Sequence, residues 1–215
     1  MKEIYYIVFS MLEGISMICF SFALFKIDIK YSVREVMLTT FVMSMGALLF
    51  SKHEILKALT PVLGIILLFS SFLFYFRLSF FSSLRLLTSG YFALGALQGV
   101  FVFLTNITSK SESLLQIQND LTMGRMIQIV SSAILILASI HIRKRNGNFT
   151  TMNYDYNYKI KLTKLNTSIL ILVLIVVILL FTMYHFKNFL LEALFWVTCA
   201  LGYYLVESRK ESEEN

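Results

Sequence analysis

Proline is all but missing from this chain: Pro61 is the only one in 215 residues, and glycine occurs nine times. Loop-rich and all-β folds spend both residues at their bends, so their scarcity excludes such folds. Charge is scarce as well. Asp, Glu, Lys and Arg make up 15% of the chain, against about 25% in soluble domains. The two cysteines, Cys19 and Cys199, lie inside apolar runs and lack C-x-x-C spacing; they read as small buried hydrophobes rather than ligands. His53, His141 and His185 fall at the edges of apolar runs, far apart and without metal spacing. Neither a G-x-x-x-x-G-K-S/T nor a G-x-G-x-x-G motif occurs, which removes the common nucleotide sites. No histidine neighbours either thiol in sequence to activate it. These absences predict a non-catalytic protein with no metal and no cofactor.

Apolar residues, in contrast, are abundant. They form 57% of the chain, and the mean hydropathy is +0.73. A soluble core cannot hide that much apolar surface in so short a chain. The expected fold is therefore all-α: a polytopic transmembrane helix bundle, occupying 1–208 as one integral-membrane domain, with a short solvated tail at 209–215. A crossing helix needs about 20 apolar residues. Seven segments qualify or come close, at 4–25, 36–51, 58–76, 86–105, 123–142, 166–184 and 189–206. The second is short, and six spans result if it does not cross. The first run is too long for a signal peptide and lacks an A-x-A site, so it is expected to stay as a span.

Charge orients the bundle. Arg143, Lys144 and Arg145, followed by Lys159, Lys161 and Lys164, make the strongest basic cluster, between spans five and six. With that loop in the cytoplasm, the amino terminus lies outside and the carboxyl terminus inside the cell membrane. Thirteen of the nineteen Lys and Arg then face the cytoplasm, Arg85 among them as a loop residue, in keeping with the positive-inside rule. The net charge of +6 thus reflects membrane topology, and nucleic acid is not an expected partner. Within 112–121 a short interfacial helix is expected. The cytoplasmic loop carries Tyr154, Tyr156 and Tyr158 among polar residues; with Arg143, Lys144 and Arg145 these form either an interfacial strap in contact with membrane lipid or a loop contacting a partner.

Ionisable groups inside spans cost about 2.5–3.5 kcal/mol at the helix centre and are functional hypotheses by default. Glu13 lies deep in the first span and shares a face with Phe9, Ser10, Ser16, Met17 and Phe20. Gln98 sits in the fourth span within Gly95-Ala-Leu-Gln-Gly99, a G-x-x-x-G step that permits close helix approach. Arg125 and Gln128 share a face of the fifth span, and Glu192 opens the seventh beside Trp196. All five fall in the outer half of the bilayer under the orientation above. They are expected to meet as a ligand-binding pocket or as a network that locks helices, with a Glu13–Arg125 ion pair the simplest form of the lock.

Leu12-Glu13-Gly14 and Leu24-Phe25-Lys26-Ile27-Asp28-Ile29-Lys30 resemble steps in the amino-terminal membrane domain of accessory-gene-regulator-type sensor histidine kinases of low-GC Gram-positive bacteria. The resemblance implies a multi-span sensing module. It does not imply kinase activity, because no phosphoacceptor or ATP-binding motif occurs in these residues. The expected function is a receptor-like or regulatory module that senses a ligand or partner from outside and couples to a cytoplasmic protein, as a hetero- or homo-oligomer. A transporter subunit and an immunity or structural protein are the alternatives. Transport predicts broken helices in symmetric halves, and neither a repeat nor a second proline is present.

Overall fold

The computed structural model describes residues 2–53, 56, 59–109, 121–145, 149, 167–171, 173–175 and 189–214. Side chains within 106–109, 121–122, 189–192 and 209–214, and that of Lys2, lie outside this description. Among the described residues the chain is helical, with no strand. The helices are α1 (Lys2–Leu24), α2 (Val33–Ser51), α3 (Thr60–Phe74), α4 (Phe80–Ser109), α5 (Leu121–Arg145) and α6 (Phe189–Glu214), with a 3-10 turn at Ile29–Tyr31. Four of them, α1, α2, α4 and α5, are long and apolar enough to cross a membrane. The second predicted span is among these four. The sixth predicted span and the interfacial helix expected at 112–121 fall largely outside the described residues; 167–171 and 173–175 are helical.

Two boundaries differ from the sequence reading. α4 starts at Phe80 rather than near 86, so Arg85 is a helix residue and not part of a loop. The cause is a cap: Ser79 Oγ accepts the Ser82 N–H at 3.4 Å, and the Ser79 carbonyl accepts from Ser83 at 2.9 Å. A serine in that position satisfies donors that the first turn leaves open. Arg143, Lys144 and Arg145 likewise form the last turn of α5, where cations complement the helix dipole. Pro61 opens α3, in a first turn that needs no proline N–H.

Contacts between helices fix their directions. Glu3 pairs with Lys52 at 2.8 Å and Gly14 abuts Thr40, so α2 runs antiparallel to α1. Pairing of Glu13 with Gln98 and Ser21 with Ser89 sets α4 antiparallel to α1. Tyr91 donates to the Pro61 carbonyl, and Phe69 meets Phe80, which sets α3 antiparallel to α4. α5 lies parallel to α1, because Phe9 meets Arg125, Glu13 meets Gln128 and Ile27 meets Arg143. α6 is antiparallel to α4, through Arg85–Glu207, Gly95–Trp196 and Gly99–Ala193. α5 and α6 therefore run in the same direction.

The largest core cluster packs Ile18, Phe22, Phe25, Leu68, Phe72, Leu86, Phe92 and Trp196 from α1, α3, α4 and α6 and the turn after α1. Small residues let the helices approach. A Cβ on Gly95 would lie 2.5 Å from Trp196 Cε3, and one on Gly99 would lie 3.2 Å from the Ala193 Cα. The G-x-x-x-G step is thus the seat of α6.

Two turns at one end of the bundle share a conformation. Lys26 at φ 57° follows α1, and Arg77 at φ 52° follows α3. Around Lys26 the Ile27 N–H returns to the Phe22 carbonyl at 2.9 Å; around Arg77 the Leu78 N–H returns to that of Phe72 at 3.1 Å. The first is a Schellman closure with lysine where glycine is usual. Phe22 and Phe76 hold the two turns together, edge to face at 5.2 Å.

Candidate functional site

Glu13 stands midway along α1, partly buried, and both of its carboxylate oxygens are engaged. Gln98 Nε2 on α4 donates to Oε1, and Gln128 Nε2 on α5 donates to Oε2 at 3.3 Å. Three helices thereby meet on one carboxylate. Ser16 Oγ donates to the Glu13 carbonyl at 2.8 Å and Ser131 Oγ to that of Gln128 at 3.1 Å. These serines, with Ser132, are completely buried. Their small side chains let α1 and α5 close on each other below the carboxylate. Hydrogen bonds to a charged group are about twice as strong as neutral ones.

Arg125 does not pair with Glu13. Its guanidinium carbon lies over the rings of Tyr5 and Phe9, 5.8 Å from each centroid. The expected Glu13–Arg125 ion pair is replaced by a cation–π sandwich nearer the start of α1. Such contacts gain strength when desolvated, and the two glutamines already occupy the carboxylate. Of the five residues expected to converge, Glu13, Gln98 and Gln128 touch, and Arg125 sits beside them on the same α1–α5 seam. The Glu192 side chain lies outside the described residues, as do Tyr154, Tyr156 and Tyr158. Arg143 Nη2 donates to the Ile27 carbonyl at 2.8 Å and Nη1 lies 3.9 Å from Asp28. It ties the end of α5 to the turn after α1. Lys144 and Arg145 are exposed.

A second polar group, unanticipated from the sequence, closes the opposite end of α4. Arg85 Nε donates to Glu207 Oε1 at 2.7 Å, and Nη2 donates to Oε2. The Tyr203 hydroxyl shares its proton between the Arg85 carbonyl at 2.9 Å and Glu207 Oε1 at 3.1 Å. The two charged side chains are only 9% and 1% exposed. Phe25 covers the guanidinium at 5.1 Å, and Phe149 in turn packs on Phe25 and Tyr204. A sequence signal existed: Tyr203 and Glu207 stand four residues apart on one helical face. Placing Arg85 in a loop hid its partner.

Among the described residues, no three His, Cys, Asp or Glu side chains come together as metal ligands. Cys19 and Cys199 are free thiols, each partly buried. Compared with protein-family models, with curated proteins and with solved structures, the chain finds no match.

Proposed function

We propose that this chain is a non-catalytic, seven-span membrane module that senses a ligand or partner from outside and passes the signal to a cytoplasmic protein. The supporting observation is that α4 carries both polar groups. Gln98 joins it to α1, and Arg85 joins it to α6. The two residues are thirteen positions apart, about 20 Å along one helix. A change in how Glu13 is bound is felt by α4 as a rigid body, and α4 carries it to α6, whose helix runs on through Glu214.

Helix direction supports the seventh crossing. α5 and α6 point the same way, so the chain between them returns across about 30 Å of hydrocarbon. An odd number of crossings puts the termini on opposite sides, and the positive-inside rule places the amino terminus outside. The resemblance to sensor-kinase membrane domains, carried by Leu12-Glu13-Gly14, accords with a sensing role.

Two experiments test this reading. Single cysteines at Lys52 and Lys144, in a C19A/C199A background, are expected to differ in intact cells. The first reacts with an impermeant maleimide and the second does not; the reverse pattern refutes the orientation. Affinity purification from native membranes in mild detergent is expected to recover a cytoplasmic signalling partner, and E13Q is expected to alter its yield. Recovery of a transport ATPase, or a yield indifferent to E13Q, overturns the sensing role.

A further inference from the structure

Exposed cations gather at one end of the bundle. Lys26, Lys30, Arg34 and Arg77 are all exposed, and none forms an ion pair among the described residues. Of the cations whose side chains are described at the other end, Lys52 pairs with Glu3 and Arg125 lies over Tyr5 and Phe9. Asp28, near Arg143, the partly buried Glu35, and Glu207, buried against Arg85, are the acids with described side chains at this end.

Backbone conformation adds an independent sign. Lys26 and Arg77 occupy left-handed positions that disfavour any residue with a Cβ. Glycine would fill both without strain. Each turn instead presents a long cationic side chain outward from a helix end. Favourable charge at two helix C-termini is part of the reason, but it calls for neither the left-handed position nor the neighbouring aromatics. Tyr31 is 88% exposed beside Lys30, and Phe74 and Tyr75 are 77% and 52% exposed beside Arg77. Exposed aromatic rings among cations are characteristic of the headgroup level of a bilayer.

We infer that the two left-handed turns, held together through Phe22 and Phe76, form a docking surface for anionic phospholipid headgroups, with Lys26, Lys30, Arg34 and Arg77 facing the phosphates. The inference depends on the topology proposed above only for which leaflet supplies the lipid. Turns that end α1 and α3 and adjoin the α5 terminus through Arg143 are well placed to register bilayer charge. Each cation near a charged membrane surface strengthens binding about fivefold.

Lipid retention on the full chain tests this. Purified protein is equilibrated with equal phosphatidylglycerol and phosphatidylcholine in detergent, and bound lipids are counted by native mass spectrometry. Wild type is expected to retain phosphatidylglycerol preferentially and to lose that preference as salt rises. K26G/R77G is expected to weaken phosphatidylglycerol retention about 30-fold, while its melting temperature in lipid-free detergent stays level or rises as backbone strain is relieved. K52A, at the opposite end, is expected to leave retention as it was. Equal retention of the two lipids by wild type overturns the inference, as does a K26G/R77G variant that binds phosphatidylglycerol normally. A fall in melting temperature that parallels the loss of lipid also overturns it, since the cations would then serve the fold. The maleimide pattern settles the topology separately, because lipid retention in detergent does not depend on orientation.

Discussion

Glu207→Gln isolates the contribution of the buried pair between α4 and α6. An exposed ion pair contributes about 0–1 kcal/mol, whereas removing one partner of a buried pair costs about 3–5 kcal/mol, because the other charge is left without compensation. The burial here, 9% for the Arg85 side chain and 1% for Glu207, puts the pair in the second class. In a bilayer the unfolded helices also find polar partners, so about 3 kcal/mol is the expected loss. Arg85→Gln should cost a similar amount. R85M/E207L should recover most of the loss, since apolar replacement of both partners is often neutral or stabilising, and Tyr203 keeps the residue-85 carbonyl as its acceptor. The assay is intrinsic to the protein. Trp196 is the only tryptophan, is buried, and packs on Gly95 at the α4–α6 contact. Its emission during unfolding in mixed SDS micelles follows separation of these two helices. Single variants within about 0.5 kcal/mol of wild type, or losses that simply add in the double variant, would refute the buried-lock reasoning.

Three further outcomes follow from the same geometry. Gly99→Ala places a methyl group against the α6 backbone at Ala193 and should cost about 1–3 kcal/mol through overpacking, with Trp196 emission shifted to the red; an unshifted spectrum would show that α6 seats elsewhere. Gln98→Leu and Gln128→Leu each strip a donor from the Glu13 carboxylate and should cost about 1.5–3 kcal/mol, with the pair of losses non-additive in a double-variant cycle. Reversing the exposed pair as E3K/K52E, where the side chains are 62% and 53% exposed, should leave the melting temperature unchanged, and a marked drop would mean that end of α1 is more constrained than its exposure implies.

The positions of the described helices were legible from hydropathy because lipid imposes a single requirement on every crossing segment: satisfy the backbone internally. The starts and stops were less so. The stretch Phe80-Phe-Ser-Ser-Leu-Arg85 counts as a loop by composition, since Ser82, Ser83 and Arg85 dilute its hydropathy. The helix start and the arginine are nonetheless offset by something conformational and something distant. Ser79 caps the turn, and Glu207, 122 residues later, neutralises the arginine. Hydropathy windows see neither effect. The charged tail, expected to be solvated, continues α6 as helix through Glu214, in a sequence of good helix formers.

At the polar site, depth alone brought the right helices together but could not choose partners within a level. Glu13, Gln98 and Gln128 were recoverable because few polar groups exist at that height, and each must find another. The assignment of Arg125 to Glu13 went astray because opposite charge was weighed without the local alternative. A guanidinium between Tyr5 and Phe9 meets two electron-rich faces on its own seam, eight and four residues before the carboxylate, and each such contact contributes about 0.5–2 kcal/mol. Two carboxamides meanwhile hold Glu13 without moving a cation deeper into the hydrocarbon, where its insertion cost rises. The carboxylate is therefore held by dipoles rather than by a full opposite charge.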